Sequence, residues 1–180
     1  IILAIVLLLN FSCTDWLDVK PVDRMSEDQL YSTEAGFRQA LNGIYVELNH
    51  ADLYGDELLV NTVEILAQRY KFSSMGTLTN QYHLAEFDYT TDYAKKCGSR
   101  IWEKAYALIA NVNKLLKNAD SHKDLFTGDS YDLITGEAYA LRAFLHFDLL
   151  RLFGPVYKTH KEDKSICYNT QFSLSGSDLL

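Results

Sequence analysis

The placement of its prolines constrains this chain more than any other feature. Pro21 and Pro155 are the only prolines in 180 residues, and a proline inside a helix removes a backbone hydrogen bond and clashes with the preceding turn. Nothing between these two positions therefore forbids helix. Apolar residues in this stretch recur every three or four positions, the spacing of one buried helix face. The predicted fold class is all-α.

Four segments carry this periodicity. The predicted helices span about 33–49, 56–69, 100–118 and 130–153. A short turn with the capping-box pair Ser26 and Gln29 precedes the first. Thr33 and Asp129 are the expected N-caps of the first and last helices, and Gly154 ends the last one. The last two helices are joined by a short connection, so we expect them to pack as an antiparallel pair.

Residues 70–92 break the pattern. They are rich in Ser, Thr, Gly, Asn and aromatic residues without a sustained period, which predicts a long irregular loop with a short strand over 86–90. Loops of this length in compact domains are usually functional or disordered. Exposed rings there could stack on sugar rings, and the candidate ligand-binding residues are Tyr82, His83 and Tyr89. The alternative is that these rings anchor the loop against the core.

Charge and motifs restrict the function classes. The chain has 17 Lys and Arg against 24 Asp and Glu, for a net charge of −7, and nucleic-acid binding depends on clustered basic residues. We therefore expect no nucleic-acid partner. No phosphate-binding glycine loop, nucleophile elbow or H-E-x-x-H zinc motif occurs. Glu47-x-x-His50 resembles half of a di-iron site but has no second copy, so no metal or cofactor is predicted.

Polar residues on the fourth helix allow two interpretations. Glu137, Arg142, His146 and Asp148 interrupt an otherwise apolar segment. They could include an acid–base pair, but no nucleophile or ligand set accompanies them. We favour a structural hydrogen-bond network. Three aromatic residues at helical spacing are predicted to lie in the core: Trp102, Tyr106 and Phe144.

The amino-terminal segment predicts export. Residues 1–9 are uninterrupted apolar residues, too few to cross a bilayer but of the length of a signal-peptide core. The chain begins with Ile and lacks a charged leader, so we expect the start of the signal peptide to be missing. Cys13 directly follows this segment. In an exported protein Cys97 and Cys167 could form a disulfide, but their spacing favours two unpaired thiols.

Several stretches together resemble the SusD/RagB family of outer-membrane nutrient-binding lipoproteins. They are TDWLDVKP after Cys13, ALNGIY, IWEKAYALIANVNKLL and GEAYALRAFLHFDLLRLFGPV. The resemblance implies tetratricopeptide-like helix pairs, a lipidated Cys13 and a surface-exposed, lipid-anchored position at the cell outer membrane. It further implies capture of a glycan, or a peptide in some members, for a SusC-like TonB-dependent transporter. It implies no catalysis.

The expected organisation follows from this resemblance. Residues 1–12 are the signal peptide, 13–25 a lipidated tether, and 26–180 a SusD-like amino-terminal helical domain that is incomplete at its carboxyl end. The competing function is a tetratricopeptide-like scaffold that binds only protein partners.

Overall fold

A computed structural model describes residues 25–72, 76 and 78–172. The helices are α1 (Glu27–Leu30), α2 (Glu34–Leu48), α3 (Thr62–Leu66), α4 (Thr79–Ala85), α5 (Asp92–Ser121) and α6 (Ser130–Phe153), with a 3-10 turn at Lys123–Leu125. Within those ranges there is no strand, so the all-α prediction is confirmed and the strand over 86–90 is wrong. The predicted signal peptide and Cys13 lie outside the described residues.

Local capping sets the start of the fold as predicted. The Ser26 hydroxyl accepts from the Gln29 N–H at 3.2 Å while the Gln29 side chain accepts from the Ser26 N–H at 3.2 Å, which completes the capping box. Thr33 caps α2 by accepting from the Gly36 N–H at 3.2 Å. A Cβ at Gly36 would lie 1.6 Å from the Leu30 carbonyl oxygen. Only glycine therefore lets α1 close against the first turn of α2.

The two longest helices, α5 and α6, form the predicted antiparallel pair. Trp102 near the start of α5 meets Phe153 at the end of α6, with ring centroids 5.1 Å apart. At the opposite end, the Tyr131 hydroxyl donates to Asp120 at 2.5 Å. The bounds of α6 match the prediction, although the Asp129 side chain makes no capping hydrogen bond.

Helix α5 begins at Asp92, earlier than predicted. Thr91 caps it, accepting from the Ala94 N–H at 3.3 Å. The residues before 100 are mostly polar, and Gly98 has low helix propensity, so the periodicity is faint there. Ala94 and Cys97 nevertheless continue the buried stripe of α5.

The main core is built from α2, α5 and α6. Among its members exposed by 2% or less are Phe37, Leu108, Ile109, Val112, Leu115, Ile134, Ala138, Leu145 and Leu149. Fully burying a large aliphatic or aromatic side chain contributes about 1.5–3 kcal/mol before entropy is counted. This core therefore dominates the stability of the described fold.

The aromatic predictions for this core are partly wrong. Trp102 and Tyr106 are half-buried and pack against the core from outside. Phe144 is 46% exposed and stacks on Tyr54, with centroids 5.1 Å apart. It belongs to an outward apolar face of α6 with Phe147 and Leu150. In the described part of the chain, no helix has the length and apolar character needed to span a membrane.

The helix predicted over 56–69 is also wrong. Most of its first half forms turns, and α3 covers only Thr62–Leu66. Leu59, which a continuous helix would place on one face with Val63 and Leu66, is 59% exposed, whereas Glu57 is 1% exposed. The chain turns back on the end of α2 at Gly55, where a Cβ would lie 2.4 Å from the Asn49 carbonyl oxygen. That reversal places the Glu57 carboxylate against Arg100 of α5.

Part of the predicted long loop is helical. Helix α4 packs on α3 and α5 through a small satellite cluster whose buried members are Ile65, Leu84, Ala85 and Ala94. Gln68 joins the ends of α3 and α4, because its side-chain amide donates to the Ala85 carbonyl at 2.6 Å and to the Ile65 carbonyl at 3.4 Å.

The segment 165–172 has no regular secondary structure and lies against α5 and α6. Side chains from both helices bind its backbone. Tyr106 donates to the Cys167 carbonyl at 2.8 Å, Asn113 to the Asn169 carbonyl at 3.0 Å, and Arg142 to the Thr170 carbonyl at 2.9 Å. Within this segment, Ile166 is 6% exposed and belongs to the main core.

Candidate functional site

Two adjoining hollows lie where the satellite cluster meets the main core. The apolar hollow has a volume of about 350 Å³, and its walls include Leu84, Ile101 and Phe153. The polar hollow has a volume of about 470 Å³ and is lined by charged side chains as well as aliphatic ones. Leu66, Tyr89 and Leu152 line both hollows. The two hollows therefore adjoin at these three side chains, and together they are called the bipartite groove.

Tyr89 is the exposed ring in this groove, and it is one of the predicted ligand-binding residues. It is 58% exposed. The Asp88 carboxylate accepts from the Thr90 N–H at 3.0 Å and from its hydroxyl at 2.6 Å. These hydrogen bonds lower the pKa of Asp88 and fix the backbone on both sides of Tyr89. The ring therefore projects from a defined turn between α4 and α5.

Tyr82 and His83 stand apart from the groove. They belong to α4, where their rings contact each other with centroids 5.7 Å apart. His83 Nδ1 lies 3.6 Å from an Asp88 carboxylate oxygen, next to the Tyr89 turn. Neither residue lines either hollow. The fold brings only Tyr89 to the groove, and ligand binding by Tyr82 and His83 stays a prediction.

The polar hollow carries three charged side chains: Glu64, Asp148 and Arg151. Asp148 accepts from the Tyr54 hydroxyl at 2.7 Å and from Arg151 at 3.1 Å. Burial, followed by the hydrogen bond to Asp148, raises the pKa of Tyr54, so this phenol stays a donor. The Arg151 side chain is 65% exposed, which leaves guanidinium N–H groups available to a ligand.

Sequence reasoning missed Glu64 and Arg151. Glu64 lies on α3, the part of the predicted 56–69 helix that is helical, and Arg151 lies in the final turn of α6. The only available signal was the motif GEAYALRAFLHFDLLRLFGPV, which contains Arg151 and Asp148.

A partly buried polar cluster lies beside the apolar hollow. Cys97 is 1% exposed and lines the apolar hollow, with Arg100 at 3.9 Å from its sulfur. Arg100 also pairs with Glu57 and with Asp52 at 3.6 Å. Burial, together with nearby Cys97, raises the pKa of Tyr93 to about 12. Cys97 is a free thiol, so within the described residues no disulfide joins it to Cys167.

The polar residues of α6 have structural partners. Arg142 and His146 hold the segment 165–172, since His146 accepts from the Asn169 N–H at 3.1 Å. Glu137 accepts from the Tyr45 hydroxyl at 3.1 Å. These contacts agree with the structural network favoured from the sequence.

The residues of the half di-iron pattern have other partners. Glu47 pairs with Lys104 of α5, and His50 lies 3.3 Å from Asp52. Over the ranges that the structure describes, no three His, Cys, Asp or Glu side chains are placed to hold a metal ion.

Comparison with known proteins gives a consistent family assignment. The SusD-like family described as "Starch-binding associating with outer membrane" matches residues 15–174. SusD-like protein P2 of Formosa agariphila is 28% identical over 153 residues, which cover 84% of this chain and 29% of that protein. SusD-like protein P25 of the same organism is 27% identical over 148 residues, which cover 80% of this chain and 28% of that protein.

The chain thus spans less than a third of the length of these curated relatives. No solved structure matches it significantly. The family match nevertheless covers most of the chain, including every helix of the structure. This chain belongs to the SusD-like family.

Proposed function

We propose that this chain is the amino-terminal helical part of an outer-membrane protein that binds glycans for nutrient uptake. The observation that carries the proposal is the family match over residues 15–174. The all-α fold supports it, because the α5–α6 pair has the antiparallel packing expected of tetratricopeptide-like units. The proposed role is binding without catalysis.

The proposed position is the cell surface, with a lipid on Cys13 and a SusC-like TonB-dependent transporter as partner. A cysteine at the exit of a short apolar export segment is suited to acylation, and several acyl chains anchor a protein stably where one does not. Mass spectrometry of the native protein from outer membranes tests the anchor. An unmodified Cys13 in the mature protein would contradict it.

The bipartite groove is the proposed glycan site within this part of the protein. Tyr89 offers a flat apolar face to a sugar ring. Glu64, Asp148 and Arg151 offer acceptors and donors for sugar hydroxyls, because carboxylates accept and guanidinium groups donate hydrogen bonds. Tyr82 and His83 on the neighbouring α4 are proposed to extend this surface.

Calorimetric titration of the full-length protein with maltooligosaccharides, and with a panel of other oligosaccharides, tests the site. We expect Tyr89→Ala to weaken binding of the best ligand by about tenfold or more, the usual range for loss of an aromatic contact. Tyr157→Ala is the matched control, because Tyr157 is 74% exposed and lies in the turns after α6. Equal affinities of the wild type and Tyr89→Ala would refute this placement.

The scaffold alternative predicts association with the transporter and no glycan affinity. Co-purification of the tagged native protein from outer membranes distinguishes the two. Transporter association without affinity for any glycan of the panel would favour the scaffold. Turnover of a polysaccharide by the purified protein would contradict the absence of catalysis.

A further inference from the structure

We propose that the apolar hollow holds an apolar substituent of the bound glycan, such as an aryl or acyl group, while the sugar rings occupy Tyr89 and the polar hollow. This inference rests on the proposed function and deepens it by naming the substrate class: a substituted glycan rather than a bare one.

The first argument is that the two hollows adjoin at shared side chains. Leu66, Tyr89 and Leu152 line both hollows. A ligand that lies on the Tyr89 ring therefore borders charged groups on one side and aliphatic side chains on the other. A molecule that fills both sides must carry hydroxyl groups at one end and an apolar group at the other.

The second argument is the chemistry of the apolar hollow. Most of its walls are apolar side chains, such as Leu84, Ile101 and Phe153, and the charged residue in its lining, Lys95, is exposed. The Thr62 hydroxyl in its lining already donates to the Glu57 carboxylate. Sugar hydroxyls buried against the apolar walls, away from the exposed Lys95, would lack partners, which is unfavourable. Burial of an aryl or acyl group is favoured in proportion to its apolar area.

The third argument concerns Gly98, which lines the hollow from the interior of α5. A Cβ at this position would meet only the Phe153 ring, at an ordinary contact distance of 3.6 Å. Neither the backbone nor a close approach therefore requires glycine here, and glycine weakens a helix relative to alanine. Its effect is to leave the hollow open.

The fourth argument is size. About 350 Å³ is at the lower end of the range of small-molecule pockets, roughly 300–1,000 Å³. This volume suits one aromatic ring or a short acyl chain. An oligosaccharide of several rings would not fit inside, so the sugars remain at Tyr89 and the polar hollow.

The experiment compares two probes that share their sugars, 4-nitrophenyl α-maltotrioside and methyl α-maltotrioside, together with the corresponding pairs of the other sugars in the oligosaccharide panel. Affinities for the full-length protein are measured by calorimetry. We expect the aryl glycoside of the recognised sugar to bind about tenfold more tightly than the methyl glycoside, as for burial of one apolar ring.

Filling the hollow should remove this preference. We expect Gly98→Leu to bring the ratio of aryl to methyl affinity close to one. Ala94→Leu fills the same hollow from the preceding turn of α5 and serves as the second variant if Gly98→Leu fails to fold. Leu133→Ala is the control, because Leu133 is 59% exposed at the start of α6, and the ratio should stay at its wild-type value.

The outcomes separate this inference from the proposed function. Equal binding of aryl and methyl glycosides would overturn the inference and leave glycan binding intact. A preference for the aryl probe that survives in a folded hollow-filling variant would place the ring elsewhere and also overturn it. Binding of no probe pair would overturn the proposed function and this inference with it.

Discussion

The main core and the satellite cluster differ in how completely they pack. The main core joins α2, α5 and α6 through a continuous set of buried side chains that extends to Ile166 of the carboxyl-terminal segment. The satellite cluster has four buried members in the described residues, and a hollow of about 350 Å³ separates it from the main core. Stability is therefore concentrated in one region, while the candidate binding groove lies along the edge of the other.

The strongest test of this contrast truncates one leucine in each region. Leu145 is 1% exposed in the main core, and Leu84 is 2% exposed beside the hollow. We expect Leu145→Ala to lower the free energy of unfolding by about 3–4 kcal/mol. Leu84→Ala should cost about half as much, because its side chain already borders empty space and loses fewer contacts.

Urea denaturation of both variants provides the measurement. Equal losses for the two variants would mean that the satellite cluster is as well packed as the main core. Hydrogen exchange gives a second readout, since α3 and α4 should exchange faster than α5 and α6 if the satellite opens locally.

The second prediction concerns the contact that ties the satellite region to α5. Glu57 is 1% exposed, bonds the Thr62 hydroxyl and pairs with Arg100. We expect Glu57→Gln to lower the free energy of unfolding by about 2–3 kcal/mol. This decrease in the free energy of unfolding should be smaller than for a fully buried ion pair. The Arg100 side chain is 41% exposed, so water can solvate its charge once the Glu57 carboxylate is removed.

Glu64→Gln is the matched control for this change. Glu64 is 35% exposed in its side chain and lies 3.9 Å from Arg69. Exposed pairs of this kind contribute at most about 1 kcal/mol. If Glu64→Gln lowered the free energy of unfolding as much as Glu57→Gln, the buried Glu57 carboxylate would contribute no more to stability than the exposed Glu64 carboxylate.

The contrast between the main core and the satellite region also explains which helix bounds could be predicted from the sequence. The bounds of α2 and α6 depend on local signals, namely the Thr33 cap, the apolar period and the stop at Gly154. The turns and short helices over 51–72 and 78–91 depend on distant contacts instead. Glu57 is buried because Arg100 lies opposite, and no local pattern encodes that pairing.

The candidate site was predictable only in part. Tyr89 could be identified as a ring in a region without periodicity. Glu64 and Arg151 could not, because α3, the Tyr89 turn and the end of α6 meet only in the folded chain. The apolar hollow depends in addition on Gly98, which in the sequence merely weakened the helix pattern.

The third prediction concerns the pH dependence of stability in the main core. There, His146 is one of the polar side chains that hold the segment 165–172. His146 donates through Nδ1–H to the Arg142 carbonyl at 2.9 Å and accepts from the Asn169 N–H at 3.1 Å. Burial lowers the pKa of His146. The folded state therefore binds a proton less readily than the unfolded state, whose histidine has a pKa of about 6.5.

The stability that the neutral His146 contributes to the folded state is present above about pH 6.5. It is lost as the pH falls through the pKa of the folded state. We expect the wild type to lose more stability between pH 7 and pH 5 than His146→Gln, whose amide does not titrate. At pH 7, His146→Leu should cost about 1 kcal/mol, because the imidazole's hydrogen bonds to the Arg142 carbonyl and the Asn169 N–H are lost while that N–H keeps the Cys167 carbonyl at 3.1 Å. Parallel pH profiles for wild type and His146→Gln would contradict the assignment.

The smallest effect is expected at two residues of the satellite region that have strained backbone conformations. Phe87 and Gln68 both have a φ of 59°, a left-handed conformation that costs a residue with a side chain about 1–2 kcal/mol. Each follows the end of a helix, where glycine is the usual residue. Phe87 is 51% exposed, so Phe87→Gly should raise the free energy of unfolding by about 1 kcal/mol.

Gln68→Gly is the matched control. It relieves the same strain but removes the hydrogen bonds to the Ala85 and Ile65 carbonyls, so it should not raise the free energy of unfolding. Thermal unfolding of both variants decides the matter. If Phe87→Gly were less stable than the wild type, the ring of Phe87 would be packing the satellite cluster, and this region would owe more of its stability to exposed aromatic residues than its few buried ones indicate.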